Sequence, residues 1–224
     1  MKVVIFGASG MIGQGVLHEC LDSEKVTSVV AVGRSPCGFD DEKLAEILHD
    51  DFANYGSIED RLEGLDSCFF CLGVSSAGMR EEDYRRITLD FTVHAAETLS
   101  RLNPEMVFCY VSGAGTDSSE KGRSMWARVK GMTENRLLEI PFKAVYLFRP
   151  GYIQPMKGVR SKTRLYQVTY AVLAPLYPVL KILFPNLVTS TEKVGRAMIR
   201  VADVGYAKPI LETPDINAVA SDSI

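Results

Sequence analysis

Short apolar runs alternate along this chain with longer stretches of helical periodicity. Such an alternation predicts a parallel sheet with helices on both faces. Strands are predicted over 2–6, 27–32, 46–49, 67–72, 106–112, 143–148 and 209–211. Helices are predicted over 11–21, 81–102, 125–138 and 191–201, with a short helical piece at 58–62. In the longest helix Val93, Ala96, Leu99 and Leu102 recur at helical spacing and are expected to form its buried stripe. Pro104 and Pro141 stop the helices before them.

Composition narrows the function classes. The chain has 224 residues, 46% hydrophobic and 24% charged, as an ordinary globular protein has. Its net charge of −3 lacks the basic surplus expected of a nucleic-acid binder. Five cysteines, an odd number at irregular spacing, give no disulfide framework. Cys68 and Cys71 form a CxxC inside an apolar strand, where residues three apart point to opposite faces, so neither a metal site nor a redox pair is expected. His18, His49 and His94 are dispersed, and no metal is predicted. The apolar run after Lys2 is too short for a signal peptide, so a cytoplasmic setting is expected.

Gly7-Ala8-Ser9-Gly10-Met11-Ile12-Gly13 follows a strand and opens a helix. In that context GxxGxxG is a Rossmann fingerprint. Its glycines allow a tight turn and let the backbone approach a pyrophosphate, which the helix N-terminus then attracts. A site for NAD usually carries an acidic residue at the end of the second strand. Here Gly33-Arg34-Ser35 stands there, and Arg34 suits a 2′-phosphate, so NADP(H) is the expected cofactor. Asp51-Phe52 after the third strand is expected beside the adenine, although adjacent Asp50 is an alternative carboxylate. Cys71-Leu72-Gly73 is expected beside the adenosine ribose.

These motifs, with Val111-Ser112 and Phe148-Arg149-Pro150-Gly151, resemble the atypical short-chain dehydrogenase/reductases over nearly the whole chain. Within that group the chain looks most like the Tat-interacting oxidoreductase-like branch and bacterial epimerase-like proteins. The resemblance implies a Rossmann-type doubly wound α/β sheet with a small helical C-terminal region. It also implies backbone contacts from Pro150 and Gly151 to a nicotinamide carboxamide. The group's catalytic set is a Ser, and a Tyr and Lys four residues apart on one helix. Ser112 and Lys130 fit this set, but Trp126 holds the Tyr position. An indole N–H does not ionise in the working range and cannot act as general acid or base. Three readings follow. The protein binds NADP(H) without chemistry, as a sensing module; another residue such as Tyr110, Tyr152 or Tyr166 gives the proton; or the acceptor is electrophilic enough to need no protein donor.

The chain is expected to be one domain, 1–224, with residues about 151–205 forming the substrate-side cap over an unidentified small molecule. Lys157, Arg160, Lys162 and Arg164 form a basic cluster ahead of an apolar stretch, 165–187, broken by three prolines. This arrangement permits contact with an acidic lipid or a membrane surface; a solvated cluster beside helices that cap the sheet is the plainer alternative. The sequence is silent on oligomeric state.

Overall fold

A computed structural model describes residues 1–159, 177 and 183–221. Seven strands form one all-parallel sheet in the order β3-β2-β1-β4-β5-β6-β9. They are β1 (Lys2–Phe6), β2 (Ser28–Gly33), β3 (Leu44–Leu48), β4 (Ser67–Phe70), β5 (Val107–Val111), β6 (Ala144–Arg149) and β9 (Ile210–Glu212). Every residue of β4 and β5 is buried, as expected for central strands covered on both faces.

Alternate strand residues feed two cores. Ile5, Phe69, Cys109 and Phe148 pack against α1 (Met11–Asp22), α5 (Thr191–Val204) and α6 (Thr213–Ser221). Phe6, Phe70, Phe108 and Leu147 pack on the other side against α3 (Phe91–Leu102) and α4 (Met125–Glu139). The sheet is therefore doubly wound, with a helical C-terminal region. Cys68 belongs to the second core and Cys71 packs on the first, and all five cysteines are free.

The predicted helix 81–102 is three pieces: α2 (Glu81–Arg85), a π turn (Arg86–Asp90) and α3. The buried face of α3 is Thr92, Ala95, Ala96, Leu99 and Ser100; Val93 and Leu102 are only partly covered. A spacing of three throughout drifts around a helix of 3.6 residues per turn, so Val93 and Leu102 stand on opposite sides. At the π turn the Thr88 carbonyl accepts from Thr92 Oγ1 at 2.7 Å and from Thr133 Oγ1 at 3.3 Å, which ties the turn to α4.

Strand β3 begins two residues earlier than predicted, because Ile47 is the one fully buried side chain in this edge strand and gives little pattern. The parallel pair β7 (Tyr152–Gln154) and β8 (Val188–Ser190), and helix α6, were not predicted. Helices α1 and α5 meet closely: a Cβ on Gly15 would stand 2.4 Å from Thr191 Cβ. Lys157 is no solvated cation: it pairs with buried Glu19 and with Asp22, each at 2.7 Å. Arg160, Lys162 and Arg164 lie outside the described residues, as does most of the apolar stretch. Among the described residues no helix is long and apolar enough to cross a membrane.

Candidate functional site

The strand order reverses between β1 and β4, and a crevice opens outside the carboxyl ends of such strands. A cavity of about 570 Å³ lies there. That is ample for a cofactor-sized ligand.

The turn after β1 forms its floor. Gly7 has φ +80°, and a Cβ there would meet Leu72 N at 2.7 Å. A Cβ on Gly13 would stand 2.1 Å from the Gly7 carbonyl oxygen. The glycines thus let turn, helix and neighbouring strand close on one another. Gly10, the residue before α1, supplies no capping side chain, and the first turn of α1 holds no acidic residue. The helix end faces the cavity through Ser9, Gly10, Met11 and Ile12. An uncapped, positively polarised helix end suits a phosphate.

From β2 come Gly33, Arg34 and Ser35. Arg34 is exposed and makes no hydrogen bond or ion pair among the described residues. Three residues later, Cys37 N donates to Glu46 Oε1 at 2.8 Å and its thiol donates to the same oxygen, which pins the arginine's loop to β3. Burial, then that bond, raises the Cys37 thiol to about 11.

Phe52, Cys71, Leu72 and Gly73 line the opposite wall. Burial raises the Cys71 thiol to about 12. At the far end stand Ser112 and Lys130. Ser112 Oγ lies 2.9 Å from Thr116 Oγ1, which itself donates to the Gly113 carbonyl at 2.8 Å. Lys130 Nζ donates to the Val111 carbonyl at 3.1 Å and sits 5.1 Å from the centroid of the Tyr110 ring. Burial lowers the Lys130 ammonium to about 8, with buried Glu134 acting in the opposite sense. One turn along α4, Glu134 receives Arg149 Nε at 3.0 Å and a second bond from Nη2. Arg149 Nη2 also reaches Ser118 Oγ at 2.6 Å.

Several predicted site residues lie off this wall. Gly13 is a packing position behind it. Asp51 is exposed and its Oδ1 accepts from Ala53 N at 3.1 Å, shaping its own turn. The Pro150 carbonyl accepts from Ala114 N at 2.9 Å, and Gly151 N donates to Thr213 Oγ1 at 2.9 Å, so these backbone groups hold neighbouring elements. Trp126 is half-buried against the Gly113–Gly115 turn. Tyr110 is 1% exposed beneath Lys130, and the Tyr152 hydroxyl donates to Gln154 Oε1 at 2.8 Å. Neither reaches the cavity wall, and Tyr166 lies outside the described residues. Val74 and Ser75 line the cavity without having been singled out; their one signal was adjacency to a strand end.

No family model matches the chain. Rat (Rattus norvegicus) Protein HTATIP2 is 28% identical over 154 residues, 68% of this chain and 62% of that protein. The match thus spans less than two thirds of the rat protein's length. The mitochondrial Protein FMP52 of Debaryomyces hansenii is 25% identical over 166 residues, 73% of this chain and 70% of that one. Among solved structures, MoeE5 in complex with UDP-glucose and NAD superposes with a TM-score of 0.67 at 16% identity, covering 99% of this chain and 81% of that one. A Burkholderia thailandensis oxidoreductase of the short chain dehydrogenase/reductase family gives 0.64 at 15% identity, covering 96% and 92%.

Proposed function

We propose that this chain, a Rossmann-fold relative of the atypical short-chain dehydrogenase/reductases, binds NADP(H) and serves as an oxidoreductase for a small molecule. The observation that carries this reading is one cavity bounded by the glycine turn and α1 at one end and by Ser112 and Lys130 at the other, with Arg34 on its rim.

The residues present fit such a cofactor. The glycine turn leaves no Cβ where a pyrophosphate would press, and the α1 end offers free N–H groups. Arg34, without a protein partner among the described residues, is free to pair with a 2′-phosphate. Phe52 and Leu72 give the adenosine an apolar wall. When bound, the nicotinamide supplies a hydride donor or acceptor. Lys130 supplies a fixed positive charge and donors for a ribose hydroxyl or a developing oxyanion, and Ser112 supplies a hydroxyl steadied by Thr116. Residues 151–205 close the substrate side in this reading.

A second reading, NADP(H) sensing without turnover, draws on Trp126 and on the lack of a phenol among the described residues lining the cavity. Thermal melts test the shared premise. A ligand at a hundred times its dissociation constant adds about 2.7 kcal/mol. NADPH should raise the Tm of the wild type by several degrees, and Arg34→Ala should remove most of that rise. An equal response to NADH would dismiss the 2′-phosphate contact. No response to either cofactor would dismiss the whole reading.

A further inference from the structure

Arg34 stands in a very short bridge. Gly33 ends β2 and Cys37 is buried in the core on the α1 side, so Arg34, Ser35 and Pro36 lie exposed between two fixed points. Both ends of the bridge are fastened to β3. The Gly33 carbonyl accepts from His49 N, just past the strand's end, at 2.9 Å. Cys37 N donates to Glu46 Oε1 at 2.8 Å, and the Cys37 thiol donates to the same oxygen. Pro36 adds its own restraint, since the residue before a proline is held to extended backbone. Beyond Cys37, the Phe39 ring meets His18 of α1 edge-on at 4.6 Å between centroids.

Glu46 is the side chain in this set of fastenings that reaches from the sheet to the loop. Among the described residues no cation pairs with its carboxylate, which instead receives two neutral donors of one loop residue. Glu46 and Cys37 border a small cleft with Ser9, Gly33 and Ser35, and those three also line the cofactor cavity. Neither Glu46 nor Cys37 lines that cavity itself, so the pair can act on a ligand there only through the loop.

We propose that Glu46 is a specificity-determining positioning residue: by holding Cys37 it fixes the backbone that carries Arg34, and so sets a preference for NADP(H) over NAD(H). This rests on the cofactor reading and names what tunes it. A guanidinium pairs with a phosphate through two parallel N–H bonds, which demand a defined approach. A long side chain on a loose loop must be ordered at each binding event, and a backbone fixed beforehand removes part of that cost. The benefit falls on the 2′-phosphate. NAD(H) carries a hydroxyl at that place, and the glycine turn meets the pyrophosphate of both cofactors alike.

The test is titration of NADPH and NADH, followed by nicotinamide fluorescence. Wild type should bind NADPH more tightly than NADH. Glu46→Ala should weaken NADPH about tenfold and NADH by less than about twofold, so that the preference collapses. Glu46→Gln keeps an acceptor oxygen and should return NADPH binding to within about threefold of wild type. In an Arg34→Ala background, Glu46→Ala should change neither affinity further, because Glu46 acts through the arginine. Equal weakening of both cofactors by Glu46→Ala marks a merely structural residue and overturns the proposal. Unchanged NADPH binding in Glu46→Ala, or a further loss in the double variant, overturns it too. If Arg34→Ala abolishes the preference for NADPH and Glu46→Ala does not, the proposal falls and the cofactor reading stands. If wild type binds neither cofactor, both fall.

Discussion

Among the described residues, Arg34 and Lys130 are the two cations on the cavity wall, and they differ in surroundings. Arg34 is exposed and unpaired among the described residues, so its charge is free for a ligand. A charge-assisted hydrogen bond contributes about 1.5–3 kcal/mol. By isothermal titration, Arg34→Ala should therefore weaken NADPH at least about tenfold and leave NADH nearly unchanged. Lys130 is held between the Val111 carbonyl and the Tyr110 ring, and burial lowers it from its ordinary 10.5 to about 8. Across that window the unfolded chain holds the proton more tightly than the folded one, so this lysine makes stability rise with pH between about 8 and 10.5. Urea midpoints at pH 7.5 and pH 10 should show that rise in wild type and a smaller one in Lys130→Met. Arg34, expected from its place at a strand end, and Ser112 and Lys130, expected from the resemblance, all line the cavity. The roles of Asp51, Pro150 and Gly151 were not legible, since their hydrogen bonds go to residues that only the fold brings near.

Between elements, the strongest polar link near the site is that of α4 to β6. Glu134 is 1% exposed and the Arg149 side chain 12%, and the pair is joined by several hydrogen bonds. Removing one member of such a pair strands a buried charge at a cost of about 3–5 kcal/mol, whereas replacing both by apolar residues is often neutral. Glu134→Leu and Arg149→Met should each lower the urea midpoint sharply, and the double variant should recover most of the loss. Long elements such as α4 announced themselves through periodicity. Three-residue strands such as β7 and β8 have too few positions to show any, so they were missed. The stripe assigned to α3 held at Ala96 and Leu99 and missed at its ends: spacing of three without four does not stay on one face, and Thr92 and Ser100, being polar, hid the rest of the buried face.

Over the whole molecule, the chain's last described helix returns to brace the site. Ile216 and Val219 of α6 are buried in the core beneath α1 and α5, and Thr213 holds Gly151 next to β6. Burying each of those apolar side chains contributes about 1.5–3 kcal/mol. Deleting residues 213–224 should therefore cost about 3–6 kcal/mol, a large part of the 5–15 kcal/mol typical of a folded domain. Urea denaturation of the truncated chain should show a transition displaced to much lower denaturant, and NADPH should recover only part of it. The parallel sheet with helices on both faces was readable from alternation, because parallel central strands need continuous apolar runs, whereas its doubly wound character followed from the resemblance. The link of α6 to the site was not readable, because the bond from Gly151 to Thr213 joins residues more than sixty positions apart.

The parallel pair β7–β8 has a further consequence. Tyr152 lies beside Val188 and Gln154 beside Ser190, so the chain departs and returns through two adjoining strands. Both strands are tied to the same helix, α6: Gly151 donates to Thr213, and Asn217 donates to the Val188 carbonyl at 2.9 Å. The chain thus leaves and re-enters the described scaffold at two anchored points, Gln154 and Val188. Exchanging the segment between those anchors for that of a homologue should therefore leave the urea midpoint of the scaffold nearly unchanged, because the anchoring contacts are kept.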